Sequence, residues 1–171
     1  LIEAAVAHFN ATKKRTLLDP VCKYVDYIDT VFGSEPGKIH GYDGHPEIEL
    51  ALVKLFHTTG NEKYLKLGWY FLSERGKEPR FFTEESINLG SERHWVQSLI
   101  KYYKSNKRDV CEYNQSHKTI YEQTEAVGHA VRATYLYTAM ADYAREYKDD
   151  RLFKVCQALW ENVCKKKMYI T

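Results

Sequence analysis

Helical periodicity runs along most of this chain, and strand patterns are nearly absent. Apolar residues recur three and four apart in Leu1 to about Asn10, about Pro20 to Phe32, and Pro46 to the turn "TTGN". The same spacing marks Glu62 to Glu74, Thr124 to Tyr147 and Asp149 to Lys166. Pro46 suits a first helical position, where its missing N–H is not needed, and Gly76 suits the position after a helix end. The stretch from Lys77 to Thr119 is polar and aromatic-rich, with one short helix expected near Ser91–Tyr103. The expected fold class is all-α.

The helices pair. "HFNATKKRTLLDPVCKYVDYI", "LFHTTGNEKYLKLGWYFLSERG" and "ADYAREYKDDRLFKVCQALWENV" each read as helix, short polar turn, helix with aromatics. Successive helical hairpins make either a solenoid or part of a closed ring. A solenoid stacks its repeats directly on one another. Here the linkers are long and carry Gly, His and aromatic residues, which suits a ring with a site at one mouth.

A length of 171 residues fits one domain with a sizeable core. With 25 Lys and Arg against 23 Asp and Glu, the net charge of +2 points to no nucleic-acid or membrane partner. No apolar run approaches the roughly 20 residues of a membrane span. Lys165–Lys167 read as ordinary cations at a helix C-terminus. Cys22, Cys111, Cys156 and Cys164 show no metal-binding spacing, and each is expected to pack as a small buried group. Thiols without a pairing pattern suit a cytoplasmic rather than a secreted protein. The opening "LIEAAVAHF" and the closing "KKKMYIT" both read as cut from a longer chain.

Two stretches could carry chemistry. In "HGYDGHPEIE", glycines and a proline would project Tyr42, Asp43 and His45 from the rim of a helix, with Glu47 beside them. The same residues also fit a helix cap with solvated charges, and composition leaves both readings open. In "EQTEAVGHAVRA", Glu125 and His129 are four apart and so share a face if the helix begins upstream, with Glu122 a turn earlier. Such a set can bond sugar hydroxyls, or simply stabilise a helix start. Gly128 is the oddity, since glycine inside a helix costs about 1 kcal/mol relative to alanine. Tyr135, Tyr137, Tyr143 and Tyr147 read as packing residues, although 14 Tyr and 3 Trp also suit a carbohydrate cleft.

The phrases "LIEAAVAHF", "YVDYIDTVFG", "GYDGHPEIELALVKLF", "YFLSERG" and "EQTEAVGHAVRATYLYTAMAD" closely resemble the family 127 glycoside hydrolases, the β-L-arabinofuranosidase family. The resemblance covers nearly the whole chain in order. It implies that residues 1–171 form about half of an (α/α)6 barrel, the rest of the barrel and the β-sandwich domains lying outside this sequence. It also implies retaining hydrolysis of an L-arabinofuranosyl linkage in plant-derived glycans, by a cysteine nucleophile bound to zinc. The family's zinc is held by three cysteines and a glutamate. None of the four cysteines here falls in a matching motif, so the catalytic and metal-binding residues are expected outside this chain.

What the resemblance carries over is sugar contact by His45 and His129. The segment alone is expected to release no sugar. The implied partner is an oligosaccharide or glycoside, and the family admits a homodimer of the full-length protein. Two alternatives stay open: a helical-repeat scaffold that binds a protein through the same loops, and a relative acting on a different sugar.

Overall fold

The computed structural model describes residues 1–88 and 94–169, and among these no strand forms. The helices are α1 (Ile2–Thr12), α2 (Leu18–Val31), α3 (Ile48–Thr59), α4 (Glu62–Glu74), α5 (Phe81–Asn88), α6 (His94–Ser105), α7 (Ala130–Glu146) and α8 (Asp150–Lys166). A 3₁₀ turn, Val110–Asn114, stands between α6 and α7. The helix expected near Ser91–Tyr103 corresponds to α6, with Ser91–Arg93 outside the described residues.

The three hairpins of the sequence are α1–α2, α3–α4 and α7–α8. Their turns are chemically explicit. Gly60 adopts φ 73° to end α3, and Asn61 Oδ1 then accepts the Lys63 N–H at 3.1 Å to start α4. Asp149 Oδ1 accepts the Leu152 N–H at 2.9 Å and caps α8. Hairpins joined this tightly run antiparallel.

The first helices of the hairpins form a layer, with α3 touching α1 on one side and α7 on the other. Leu50, Ala51, Leu52, Val53 and Leu55 are all buried, so α3 is apolar around most of its girth. One of its faces joins Ala5, Val6, Leu18, Val21, Val25, Leu67 and Phe71 in a first core. The other joins Leu65, Leu72, Leu136, Met140, Tyr143, Leu152 and Leu159 in a second. Gly68 brings α4 and α7 together: a Cβ there would lie 2.0 Å from Tyr143 Oη, which donates to Leu65 O at 3.0 Å.

Two helix starts and one additional helix depart from the sequence reading. α3 begins at Ile48, because His45 O accepts the Glu47 N–H at 2.7 Å and makes Pro46 part of a turn. α7 begins at Ala130, because Gly128 at φ 77° and extended His129 interrupt any upstream helix. Between α4 and α6, Phe81 and Phe82 of the short α5 pack against Tyr42. Of the cysteines, Cys111 is buried, Cys22 and Cys156 are half-buried, and Cys164 is exposed rather than packed.

Candidate functional site

The two histidines singled out in the sequence stand at the N-terminal ends of neighbouring helices. His45 precedes α3, and His129 is the residue on which α7 starts. Because α3 and α7 touch, and the two imidazoles lie with ring centroids 6.2 Å apart, these helices run side by side in the same direction. Residues 84 positions apart (129 minus 45) thus meet at one end of the layer.

His129 is held at three points. Its backbone N–H donates to Tyr113 O at 3.2 Å. The Gln115 amide donates to His129 O at 3.3 Å and to Val127 O at 2.9 Å. Its Nδ1 accepts the Arg132 N–H at 3.4 Å, a long cap bond that leaves the ring proton on Nε2. Nε2 is therefore the free donor edge. Gly128 makes this possible: at φ 77°, a Cβ would lie 1.8 Å from Glu112 O and 2.9 Å from Gln115 Nε2. The glycine is required by the close approach of the 3₁₀ turn, outside any helix.

Around the pair stand Tyr135, 5.8 Å from His45, and Tyr113, 5.6 Å from His129. The Arg132 guanidinium lies 4.5 Å over the Tyr113 ring. Glu47 Oε1 sits 3.6 Å from His45 Nδ1, close enough for attraction but too long for a hydrogen bond. His45 is about one-third exposed. The result is a partly open wall of two imidazoles, two phenol rings, a guanidinium and a carboxylate. It offers directional donors and acceptors beside ring faces, a combination suited to a polyhydroxylated ring.

Behind this wall lies Arg75, fully buried. Its Nη2 donates to Asp43 Oδ1 at 2.7 Å, to Asp43 O at 2.9 Å and to Glu49 Oε1 at 3.2 Å. Its Nη1 donates to Asn114 O at 3.2 Å, and the guanidinium lies 4.8 Å over the Tyr42 ring. Two buried carboxyl groups face one cation, an arrangement that favours protonation of one of them. Burial, and then the neighbouring Asp43, push the Glu49 carboxyl up to about 8, against the pull of Arg75. Burial also raises Asp43.

Of the sequence candidates, His45, His129 and Glu47 come together. Asp43 lies in the same loop, and its carboxylate is turned to Arg75. Glu122 and Glu125 do not share a helical face with His129, because the chain there is irregular. Glu122 accepts from Thr119, which lowers its carboxyl, and Lys167 at 2.9 Å does the same for Glu125. Arg75, Tyr113, Gln115 and Arg132 carried no signal of their own, and Tyr135 read only as packing.

The described residues contain no group of three or more His, Cys, Asp or Glu placed to hold a metal ion. The four cysteines lie on α2, in the 3₁₀ turn and on α8, and do not converge. Among the described residues the cysteines therefore form no three-cysteine, one-glutamate cluster. No described helix is long and apolar enough to cross a membrane.

Comparison with known proteins matches all of residues 1–171 to the family described as "Beta-L-arabinofuranosidase, GH127 catalytic domain". A non-reducing end β-L-arabinofuranosidase of Bifidobacterium longum subsp. longum is 38% identical over 99% of the chain. The crystal structure of a GH127 β-L-arabinofuranosidase from Geobacillus stearothermophilus T6 superposes with a TM-score of 0.88, at 53% identity over 99% of the chain. A GH127 β-arabinofuranosidase structure superposes at 0.76, with 38% identity over 98% of the chain. The chain spans 25% of the first two proteins and 22% of the third. The all-helical hairpin array is thus a portion of a GH127 catalytic-domain fold, and the chain belongs to the GH127 β-L-arabinofuranosidase family.

Proposed function

We propose that this chain supplies part of the sugar-contacting wall of a retaining glycoside hydrolase that releases L-arabinofuranose from plant-derived glycans. The observation that carries the reading is the meeting of His45 and His129 at the N-terminal ends of α3 and α7. In this reading His129 donates from Nε2 to a sugar hydroxyl, His45 meets a second hydroxyl, and Tyr135 or Tyr113 covers a C–H face. Glu47 polarises His45 from 3.6 Å. Asp43 acts through its place in the loop, and Glu122 and Glu125 serve the fold. The nucleophile and the zinc expected of the family are supplied by residues outside this chain, and the steps they perform belong there. The scaffold alternative is not favoured, since the relatives are glycosidases along this whole segment.

The test is kinetic, on the full-length protein with 4-nitrophenyl β-L-arabinofuranoside. Losing one good sugar hydrogen bond from the bound state, about 1.4 kcal/mol, raises KM about tenfold while kcat changes little. His45→Ala and His129→Ala are each expected to show this split. Unchanged KM in both variants rules the reading out.

A further inference from the structure

We propose that Arg75 is a positioning residue: one buried guanidinium holds both histidine-bearing segments and so fixes the separation of His45 and His129. The inference rests on the reading that the two histidines contact the sugar, and goes beyond it by naming what sets their geometry.

Arg75 follows the last turn of α4 and belongs to neither segment. One edge of its guanidinium takes Asp43, two residues before His45, through both side chain and backbone carbonyl, and reaches Glu49 in the first turn of α3. The other edge takes Asn114 O. Asn114 lies between Tyr113, which accepts the His129 N–H, and Gln115, whose amide donates to Val127 O and His129 O. The path from one imidazole to the other therefore runs through a single planar group: His45 loop, Asp43, Arg75, Asn114, His129 segment. Tyr42, buried under α5 and stacked on the guanidinium, closes the loop side.

The chemistry of the site argues for geometry over stability. Burying a charged triad costs desolvation that its mutual attraction repays only partly, and apolar groups of similar size often serve stability as well. Stability also needs no bridging of these two segments, since α3 and α7 are already packed in the second core. A planar, forked cation instead fixes directions, because each N–H has one orientation, whereas a lysine ammonium is a point charge on a flexible stem.

The test is a double-mutant cycle in the full-length protein, with KM for 4-nitrophenyl β-L-arabinofuranoside as readout and Tm recorded for every variant. Arg75→Lys keeps the charge and loses the fork. It is expected to raise KM about tenfold with kcat little changed, the signature of weakened uniform binding. In the background His45→Ala plus His129→Ala, Arg75→Lys is expected to raise KM no further, because its effect passes through those rings. Should Arg75→Lys not fold, Asp43→Ala, which removes the Oδ1 acceptor and leaves the guanidinium in place, carries the same cycle. Two results overturn the inference while leaving the sugar reading intact. One is a folded Arg75→Lys protein with wild-type KM. The other is an Arg75→Lys effect of the same size with and without the histidines, as a purely structural residue gives. If instead the histidine variants themselves leave KM unchanged, the sugar reading fails, and this inference with it.

Discussion

At the residue scale, buried carboxyl groups make the fold sensitive to pH in a definite direction. The Glu49 carboxyl moves from its ordinary 4.5 to about 8, so the folded chain keeps a proton that the unfolded chain releases. The stability this contributes is fully present below pH 4.5 and is lost as pH rises towards 8, at a slope of up to about 1.4 kcal/mol per pH unit. Glu49→Gln removes the titration while keeping an oxygen for Arg75. Denaturant unfolding between pH 5 and pH 8 should show wild-type stability falling and the variant's curve flatter. Equal slopes would contradict the retained proton. The two histidines were singled out in the sequence by a family match, and the fold brings them together. Arg75 was not, because an arginine at a helix end normally reads as a solvated cation, and only the fold reveals that Asp43 and Asn114 converge on it. Glu122 and Glu125 misled for a related reason: four-residue spacing means a shared face only where the backbone is helical.

At the element scale, the apolar period was sufficient to find the helices of all three hairpins. It could not find where α7 begins, since "EQTEAVGH" continues the same polar and apolar alternation without being helical. The signal against a helix was Gly128, whose positive φ and contact with Glu112 O explain its presence. α5 escaped because one turn of aromatics followed by polar residues has no period to detect. Gly68 is the opposite case, a glycine inside a helix that costs helix propensity and returns close packing of α4 on α7. Gly68→Ala gains propensity but drives a methyl into Tyr143, which is fully buried and bonded to Leu65 O, and crowds Leu52 Cβ at 3.2 Å. The net effect is a loss of about 2 kcal/mol, by overpacking and the lost hydrogen bond. Adding Tyr143→Phe removes the clashing oxygen and should recover most of that loss. A Gly68→Ala protein more stable than wild type would contradict this account of the α4–α7 contact.

At the scale of the whole molecule, side-by-side first helices turn three local hairpins into one layer that brings His45 and His129 together at one end. Pairing within hairpins was readable because it is local. The α1–α3–α7 order was not readable from periodicity, because it depends on which faces of α3 meet which neighbours. The layer also leaves a face of α7 and α8 open, where Phe153, Trp160, Tyr137 and Cys156 line a cavity of about 580 Å³. Neither His45 nor His129 lines that cavity, and the sugar is assigned to the loop end, where the imidazoles meet. The measurement that tests this assignment most directly is a crystal structure of the full-length protein with L-arabinose bound. The account predicts sugar hydroxyls within hydrogen-bond distance of ring nitrogens of both His45 and His129, with Arg75 still joined to Asp43 and Asn114. Sugar bound with neither imidazole in contact would contradict it.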